Sequence, residues 1–402
     1  MILILPVMSG VCPIIAMLFI MREYRNSGRA LFCAVLFGFA ASAALFGYVA
    51  DQGNDIYRHI YNLRYYTGKS FFQIFNAGPL KTVYIWDIWQ WIIANLHNDY
   101  LLQSSGAFVG YTIAAYMIFD YAKQMELQES EWRTSIVLAI LSISPLTLAI
   151  GIRSGNALLI CALGIYLYFV RHKNYFLTFA ILFLSIFLHN STLILLAIWI
   201  LYPVFKRKML LGAVLVVAVL FTYTNYKAYI NLFIGEGSVF ESIGVNLQQF
   251  VLAYTGNRLN SVHNTVTVGI QTVLVTLLFI RGGGIRQLSL IRNHEEMNEK
   301  SGGINEFQIL LLVTVYSLVA LLAYNGNRYY LVALVLSLVS VMDSFTEEPF
   351  LQVKRVLLLD ILILILAFMT FIICLNDMNW GTGSVRSFFI SLFTGFFSRL
   401  LV

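Results

Sequence analysis

Charge is what this sequence has least of. Only 11% of its 402 residues are Asp, Glu, Lys or Arg, where an ordinary globular chain carries about one quarter. Hydrophobic residues make up 59% and the mean hydropathy is +0.78, which excludes a water-soluble globule. The four cysteines, Cys12, Cys33, Cys161 and Cys374, are scattered through apolar runs without metal or redox spacing, so they read as packing residues. There is no P-loop, no G-x-G-x-x-G and no clustered His/Cys/Asp set. A nucleotide-driven pump and a soluble catalytic domain are thereby excluded, and no cofactor and no metal are expected. Any chemistry must sit in the membrane or on its outer face. The first segment, Met1–Met21, also lacks the basic start of a cleaved signal. Its Arg22, Arg25 and Arg29 follow the apolar run, as they do in a retained first helix.

What is present in abundance is apolar sequence in runs of about 17–22 residues, the length that crosses a ~30 Å hydrocarbon core. Hydropathy predicts an all-α integral membrane protein, a single polytopic domain over 1–402 with about twelve transmembrane helices: 2–21, 30–50, 101–121, 134–152, 154–170, 174–189, 190–205, 209–225, 264–281, 306–324, 328–343 and 356–375. Sixteen of the 26 basic residues fall in one alternating set of loops, from Arg22, Arg25 and Arg29 through Arg171, Lys173 and Lys206-Arg207-Lys208 to Lys354 and Arg355. Retention of Lys and Arg makes that side cytoplasmic. It also accounts for the formal net charge of +6 without nucleic acid as a partner. Two larger loops, about 51–100 and 225–263, then lie on the outer face, and a cytoplasmic loop spans about 281–305. The tail from Asn376 to Val402 reads equally as an interfacial helix or a short extra span.

Loop charges place two polar interruptions on the outer side. Arg153, in Gly151-Ile152-Arg153-Ser154-Gly155-Asn156, stands at the amino end of the fifth predicted helix, where unpaired N–H groups and the helix dipole favour an anion. Asn156 shares its face at i+3. His189, in His189-Asn190-Ser191, is the turn of a hairpin between Lys173 and Lys206 whose arms, at roughly 16 residues or ~24 Å each, fall short of the ~30 Å core. A polar turn at that depth is tolerated only in protein or beside a wet cavity. In the first outer loop Asp55, His59 and Asn62 fall on one helical face with Arg58 beside them, and 82–97 carries Trp86, Trp89 and Trp91 as an interfacial helix would. Arg258, in Tyr254-Thr255-Gly256-Asn257-Arg258, and Arg328, in Tyr324-Asn325-Gly326-Asn327-Arg328, end two similar strings. Taken singly these residues have structural readings: a snorkelling arginine, a capping histidine, helix-start carboxylates, an aromatic belt. Together, Arg58, Arg153, Arg258 and Arg328 bring guanidinium groups from separate stretches to one side, and arginine suits bidentate contact with phosphate.

Asp51 and Asp55 followed by Tyr57, Tyr61 and Tyr65 resemble the opening of the EpsG-type, Wzy-like polysaccharide polymerases. Arg153 at the head of an apolar helix, the basic Arg171-His172-Lys173 and the helix end Phe187-Leu188-His189-Asn190-Ser191 are similar to that family's central block. Arg328-Tyr329-Tyr330 resembles its later arginine-aromatic element. The resemblance is clearest over about 50–205. Where the family commonly has Arg, Gln and a small residue, this chain has Arg153-Ser154-Gly155-Asn156, which puts the neighbouring polar contact in question.

The resemblance implies the helical fold of lipid-linked sugar polymerases and ligases, and a multi-pass glycosyltransferase in a bacterial cytoplasmic membrane with its active site facing outward. It would join undecaprenyl-pyrophosphate-linked oligosaccharides, as donor and acceptor, into an O-antigen, capsule or exopolysaccharide, with membrane lipid and a chain-length regulator protein as further partners. His189 would be the general base, with Asp55 as the alternative. Arg153, Arg328, Arg258 and Arg58, with Asn156 and Tyr324, would bind pyrophosphate and sugar. A flippase or exporter of the same lipid-linked sugar, an O-antigen ligase and an O-acyltransferase are the competing classes, and a non-enzymatic scaffold is a further one.

Overall fold

The computed structural model describes residues 4–46, 48, 55–76, 84–143, 148–149, 151–224, 262–284, 302–322, 326–342, 353–377 and 384–400. All regular structure among them is helical, as the composition requires. Two helices, Tyr100–Gln124 and Ile152–Phe169, are individually long and apolar enough to cross a membrane. Shorter apolar helices accompany them, including Ala30–Leu45, Tyr175–Ile186 and Tyr329–Ser340. The chain divides into two compact units. The first combines Met1–Pro79, Tyr84–Leu159 and Ala367–Val402, and the second holds Leu80–Val83 and Ile160–Leu366.

Several boundaries differ from the hydropathy expectation for identifiable reasons. The expected first helix, 2–21, is two helices, Leu5–Val11 and Pro13–Ser27. Pro13 excludes the preceding Cys12 from helical backbone angles, and Cys12 sits at φ −142° and ψ 79°. The second helix runs on to Gly28, whose φ of 59° closes it in a left-handed cap. The expected helix 134–152 instead spans Glu129–Ser142. Its start escapes a hydropathy scan because the first turn is charged. A capping box fixes it, with the Gln128 N–H donating to Glu131 Oε2 at 2.8 Å.

In the first unit, helices Ala30–Leu45 and Tyr100–Gln124 pack closely, with Gly38 of the one against Phe108 and Thr112 of the other. Without aliphatic side chains in the way the backbones approach closely, which is how helices associate where lipid supplies no hydrophobic drive. A Cβ on Gly38 would lie 2.6 Å from the Phe108 carbonyl oxygen and would clash with the Thr112 hydroxyl. Gly38→Ala is therefore expected to separate this pair and cost about 1–3 kcal/mol, read as a lower midpoint of thermal aggregation in detergent. An unchanged midpoint would mean the seam is looser than it looks. The tail, which the sequence left undecided, is a helix Ser384–Thr394 followed by a 3-10 turn Gly395–Leu400. It packs within this unit, with Phe396 against Phe39 and Phe46 at ring distances of 5.4 and 5.1 Å.

The second unit centres on an aromatic cluster. Tyr175 stacks on Trp199 at 4.9 Å, and Tyr202 and Phe307 pack on the same indole. Charged groups of these helices have partners: Arg281 Nε lies 2.8 Å from Asp360 Oδ1, and Tyr202 Oη donates to Glu306 Oε2 at 2.9 Å. Buried charge of this kind persists because it is paired.

Candidate functional site

The helix Asp55–Asn62 carries the first group of candidate residues. Its buried side, Ile56, His59 and Asn62, faces the protein, while Arg58 and Tyr61 point outward with 65% of the Arg58 side chain exposed. Asp55 at the helix start is the hinge of the group. Arg58 Nη2 donates to its Oδ1, and the Nε2 of His59, one turn on, lies 3.4 Å from its Oδ2. His59 is 1% exposed. Its backbone carbonyl accepts from Gln90 Nε2 at 3.2 Å, and the edge of its ring meets Trp86 at 5.0 Å.

Trp86 belongs to the helix Tyr84–Asn95, which forms where the sequence predicts an interfacial one. On the same helix Asp87 accepts from Tyr66 Oη at 2.6 Å, and both side chains are buried. Arg153 completes the group. It is the second residue of the helix Ile152–Phe169, and its guanidinium carbon lies 5.8 Å from the centre of the Trp86 ring, within cation–π range. Asn156 lies one turn further along the same helix. Its side chain is fully buried, and its Nδ2 donates to the Ile152 carbonyl at 2.8 Å.

The field of Arg153 reaches every acid and base in the cluster. Burial pushes Asp55 up, but the His59 hydrogen bond and charge, Arg153 and Arg58 outweigh it and hold the carboxyl below the usual carboxylate range. His59 falls to about 4, through burial first and the charge of Arg153 as well, against the opposing pull of Asp55. Asp87 rises to about 6 through burial, opposed by its Tyr66 hydrogen bond and by Arg153. At neutral pH the cluster is thus a neutral imidazole beside ionised carboxylates and arginine.

These two shifts have opposite consequences. A neutral His59 with a folded value near 4, below its ordinary 6.5, contributes stability above pH 6.5 that is lost as pH falls through 4. Asp87, with a folded value near 6 above its ordinary 3.8, contributes stability below 3.8 that is lost as pH rises through 6. Between about pH 4 and 6 the slopes oppose each other. Protection of residues 55–66 against hydrogen exchange, taken relative to the intrinsic rate at each pH, is expected to be nearly flat there in the parent protein. His59→Gln should open the segment as pH rises, and Asp87→Asn should open it as pH falls. The same slope in both variants would remove this account.

His189 and Arg328 belong to the second unit, and there the hairpin expected from loop charges is present. Helix Tyr175–Ile186 ends, a 3-10 turn Asn190–Thr192 follows, and helix Leu193–Arg207 returns against the first. The arms are 12 and 15 residues, or about 18 and 23 Å at 1.5 Å per residue. His189 caps the turn. Its Nδ1 accepts from the Ser191 N–H at 3.1 Å and lies 2.7 Å from Ser191 Oγ. An Nδ1 that accepts a backbone N–H leaves the proton of the neutral ring on Nε2. The Ser191 carbonyl in turn accepts from Tyr329 Oη at 2.9 Å. The head of the Gly326–Ser340 helix, where Arg328 is the third residue, is therefore tied to the His189 turn. Arg258 and Tyr324 lie outside the described residues.

His59, Trp86, Asp87 and Tyr66 were not among the expected site residues. His59 was visible as the i+4 partner of Asp55. The Tyr66–Asp87 bond and the Trp86 stack join positions 20 to 70 residues apart, and no local spacing announces them.

The sequence model of the EpsG family matches residues 29–382. No curated protein and no solved structure matches the chain.

Proposed function

Since this chain belongs to the EpsG family, we propose that it is a membrane glycosyltransferase that polymerises undecaprenyl-pyrophosphate-linked oligosaccharide repeat units at the outer face of a bacterial cytoplasmic membrane. The observation that carries the reading is Arg153, held on Trp86 at the head of a membrane-length helix and acting electrostatically on Asp55. A guanidinium at a helix amino end is suited to a pyrophosphate whose negative charge grows as it leaves.

In the reaction an acceptor sugar hydroxyl attacks the anomeric carbon of the donor. A new C–O bond forms, the bond from that carbon to the pyrophosphate oxygen breaks, and undecaprenyl pyrophosphate departs with the electron pair. Arg153 stabilises the departing charge, with Arg58 as a further contributor. The hydroxyl proton goes to a base. Asp55 is one candidate, ionised and with its side chain 41% exposed, although the charges that hold its carboxyl low also make it a weak base. His189 is the second candidate. Its Nδ1 already accepts in the turn, so its neutral ring is better placed to donate through Nε2 to a sugar or phosphate oxygen than to take up a proton.

Two substitutions separate capping from chemistry at His189. Asparagine offers a side-chain acceptor to the turn and alanine does not. If the ring only caps, His189→Asn should keep most of the rate of polymer formation from purified lipid-linked repeat units while His189→Ala loses it with the fold. If the ring takes the proton, both should lose about 100-fold or more. The same assay tests the proposed function itself. Purified protein that moves lipid-linked sugar across a bilayer without lengthening it would replace the polymerase reading with that of a flippase.

A further inference from the structure

The segment from Asp55 to Tyr66 is unusual in what it shows to solvent. Ile56, His59, Asn62, Leu63 and Tyr66 are buried, and the tyrosines of successive turns are not: Tyr57, Tyr61 and Tyr65 remain 39%, 51% and 38% exposed. A histidine and an asparagine are inside while three large rings are outside, the reverse of what burial alone selects. The rings are also held in place. The Arg64 guanidinium carbon sits 3.5 Å over the centre of the Tyr61 ring, and Arg64 Nη2 donates to Tyr65 Oη at 3.0 Å. One side chain thus braces two neighbouring tyrosines. At the other end the row meets Arg58 and the Asp55 carboxylate.

We propose that Tyr57, Tyr61 and Tyr65, braced by Arg64, form a saccharide platform that holds the glycan of the lipid-linked repeat unit next to Asp55; this rests on the polymerase reading above. A pyranose presents apolar C–H faces edged by hydroxyls. Aromatic faces take the first, and phenol, guanidinium and carboxylate groups take the second. The row interleaves both kinds of group along more than 10 Å, at about 1.5 Å per residue. That exceeds one sugar ring and runs towards the reacting end. Rings already fixed in place lose little freedom when a ligand arrives. Lipid as the occupant is disfavoured by contrast within the same loop. Phe72, 83% exposed, and Phe71, 43% exposed, present rings with no polar tip, and Phe71 packs with Phe72, Phe75 and Trp91, whereas every ring of the tyrosine row ends in a hydroxyl and two of the three lie against Arg64.

The probe is the oligosaccharide released by mild acid from the producing cell's own lipid-linked repeat units, added to the full chain in detergent and followed by saturation-transfer NMR. The parent protein should transfer saturation to sugar C–H protons. The double variant Tyr61→Ala/Tyr65→Ala should bind about tenfold more weakly and should raise the acceptor KM by a similar factor, with kcat falling much less. Arg64→Ala should weaken binding in the same direction, because it removes the brace. Phe72→Ala is the control for a lipid-facing surface and should change none of these. Undecaprenyl pyrophosphate lacking a glycan should bind the double variant as it binds the parent. If the double variant keeps both saturation transfer and KM, the platform is wrong. A parent protein that binds the glycan through this row but makes no polymer supports the platform and removes the polymerase reading instead, so the two failures are distinguishable.

Discussion

Arg153→Lys is expected to lower the rate of polymer formation by about 100-fold, and Arg153→Ala by up to about 1,000-fold, the range lost when one preorganised donor to a developing anion is removed. Lysine keeps the charge but gives up the planar fork that matches two phosphate oxygens and the flat contact with Trp86. The two variants also differ in what they do nearby. The charge of Arg153 helps hold both His59 and Asp87 low, so in the alanine variant the His59 slope should shrink and the Asp87 slope grow, and residues 55–66 should open as pH rises, while lysine leaves the balance in place. Initial rates in proteoliposomes and hydrogen exchange on the same preparations read both effects. A lysine variant at parental rate would remove the bidentate clamp from the mechanism.

Asp55→Asn carries the second large effect, a fall in kcat of about 100- to 10,000-fold, the contribution ordinarily made by a positioned base. Asparagine retains a carbonyl oxygen for Arg58, so the helix start should survive, and the substitution separates proton transfer from folding. The KM for lipid-linked sugar should change far less than kcat, because Arg153 holds the pyrophosphate and the tyrosine row supplies most of the contact with the glycan. A variant that keeps its kcat and loses affinity would recast Asp55 as the partner that orients Arg58. In that case the proton would have to leave by another route, and the His189 variants would show whether that route is the capped turn.

Parts of this arrangement could be read directly from residue order. The all-helical class follows from composition. The Asp55, His59 and Asn62 face follows from helical spacing, and the turn at His189 follows from the basic residues on either side of it. Arg153 at the head of its helix came from counting residues between charged loops, because two basic clusters on one side require the intervening tip to be on the other. Other parts were invisible for equally physical reasons. Asn156 was expected beside Arg153 because it shares a helical face at i+3, but its backward bond to the Ile152 carbonyl was not, since that depends on the rotamer and not on spacing. Helix starts at Glu129 and Pro13 were displaced because hydropathy registers lipid compatibility and not capping or backbone restriction. The pairing of Asp87 with Tyr66, and of Trp86 with both His59 and Arg153, depends on the packing of separate helices, which one-dimensional periodicity does not encode.

The chain leaves its first compact unit after Leu159 and re-enters it at Ala367. In the order of synthesis the second unit is complete before the first has received its last helices. Phe396 reaches back to rings at positions 39 and 46, so the earliest helices to be made wait for the latest. Until then the helices Leu5–Val11 and Ala30–Leu45 present to lipid or to a chaperone the faces that the tail will cover. The Arg153 cluster belongs to this same unit, the one that closes last.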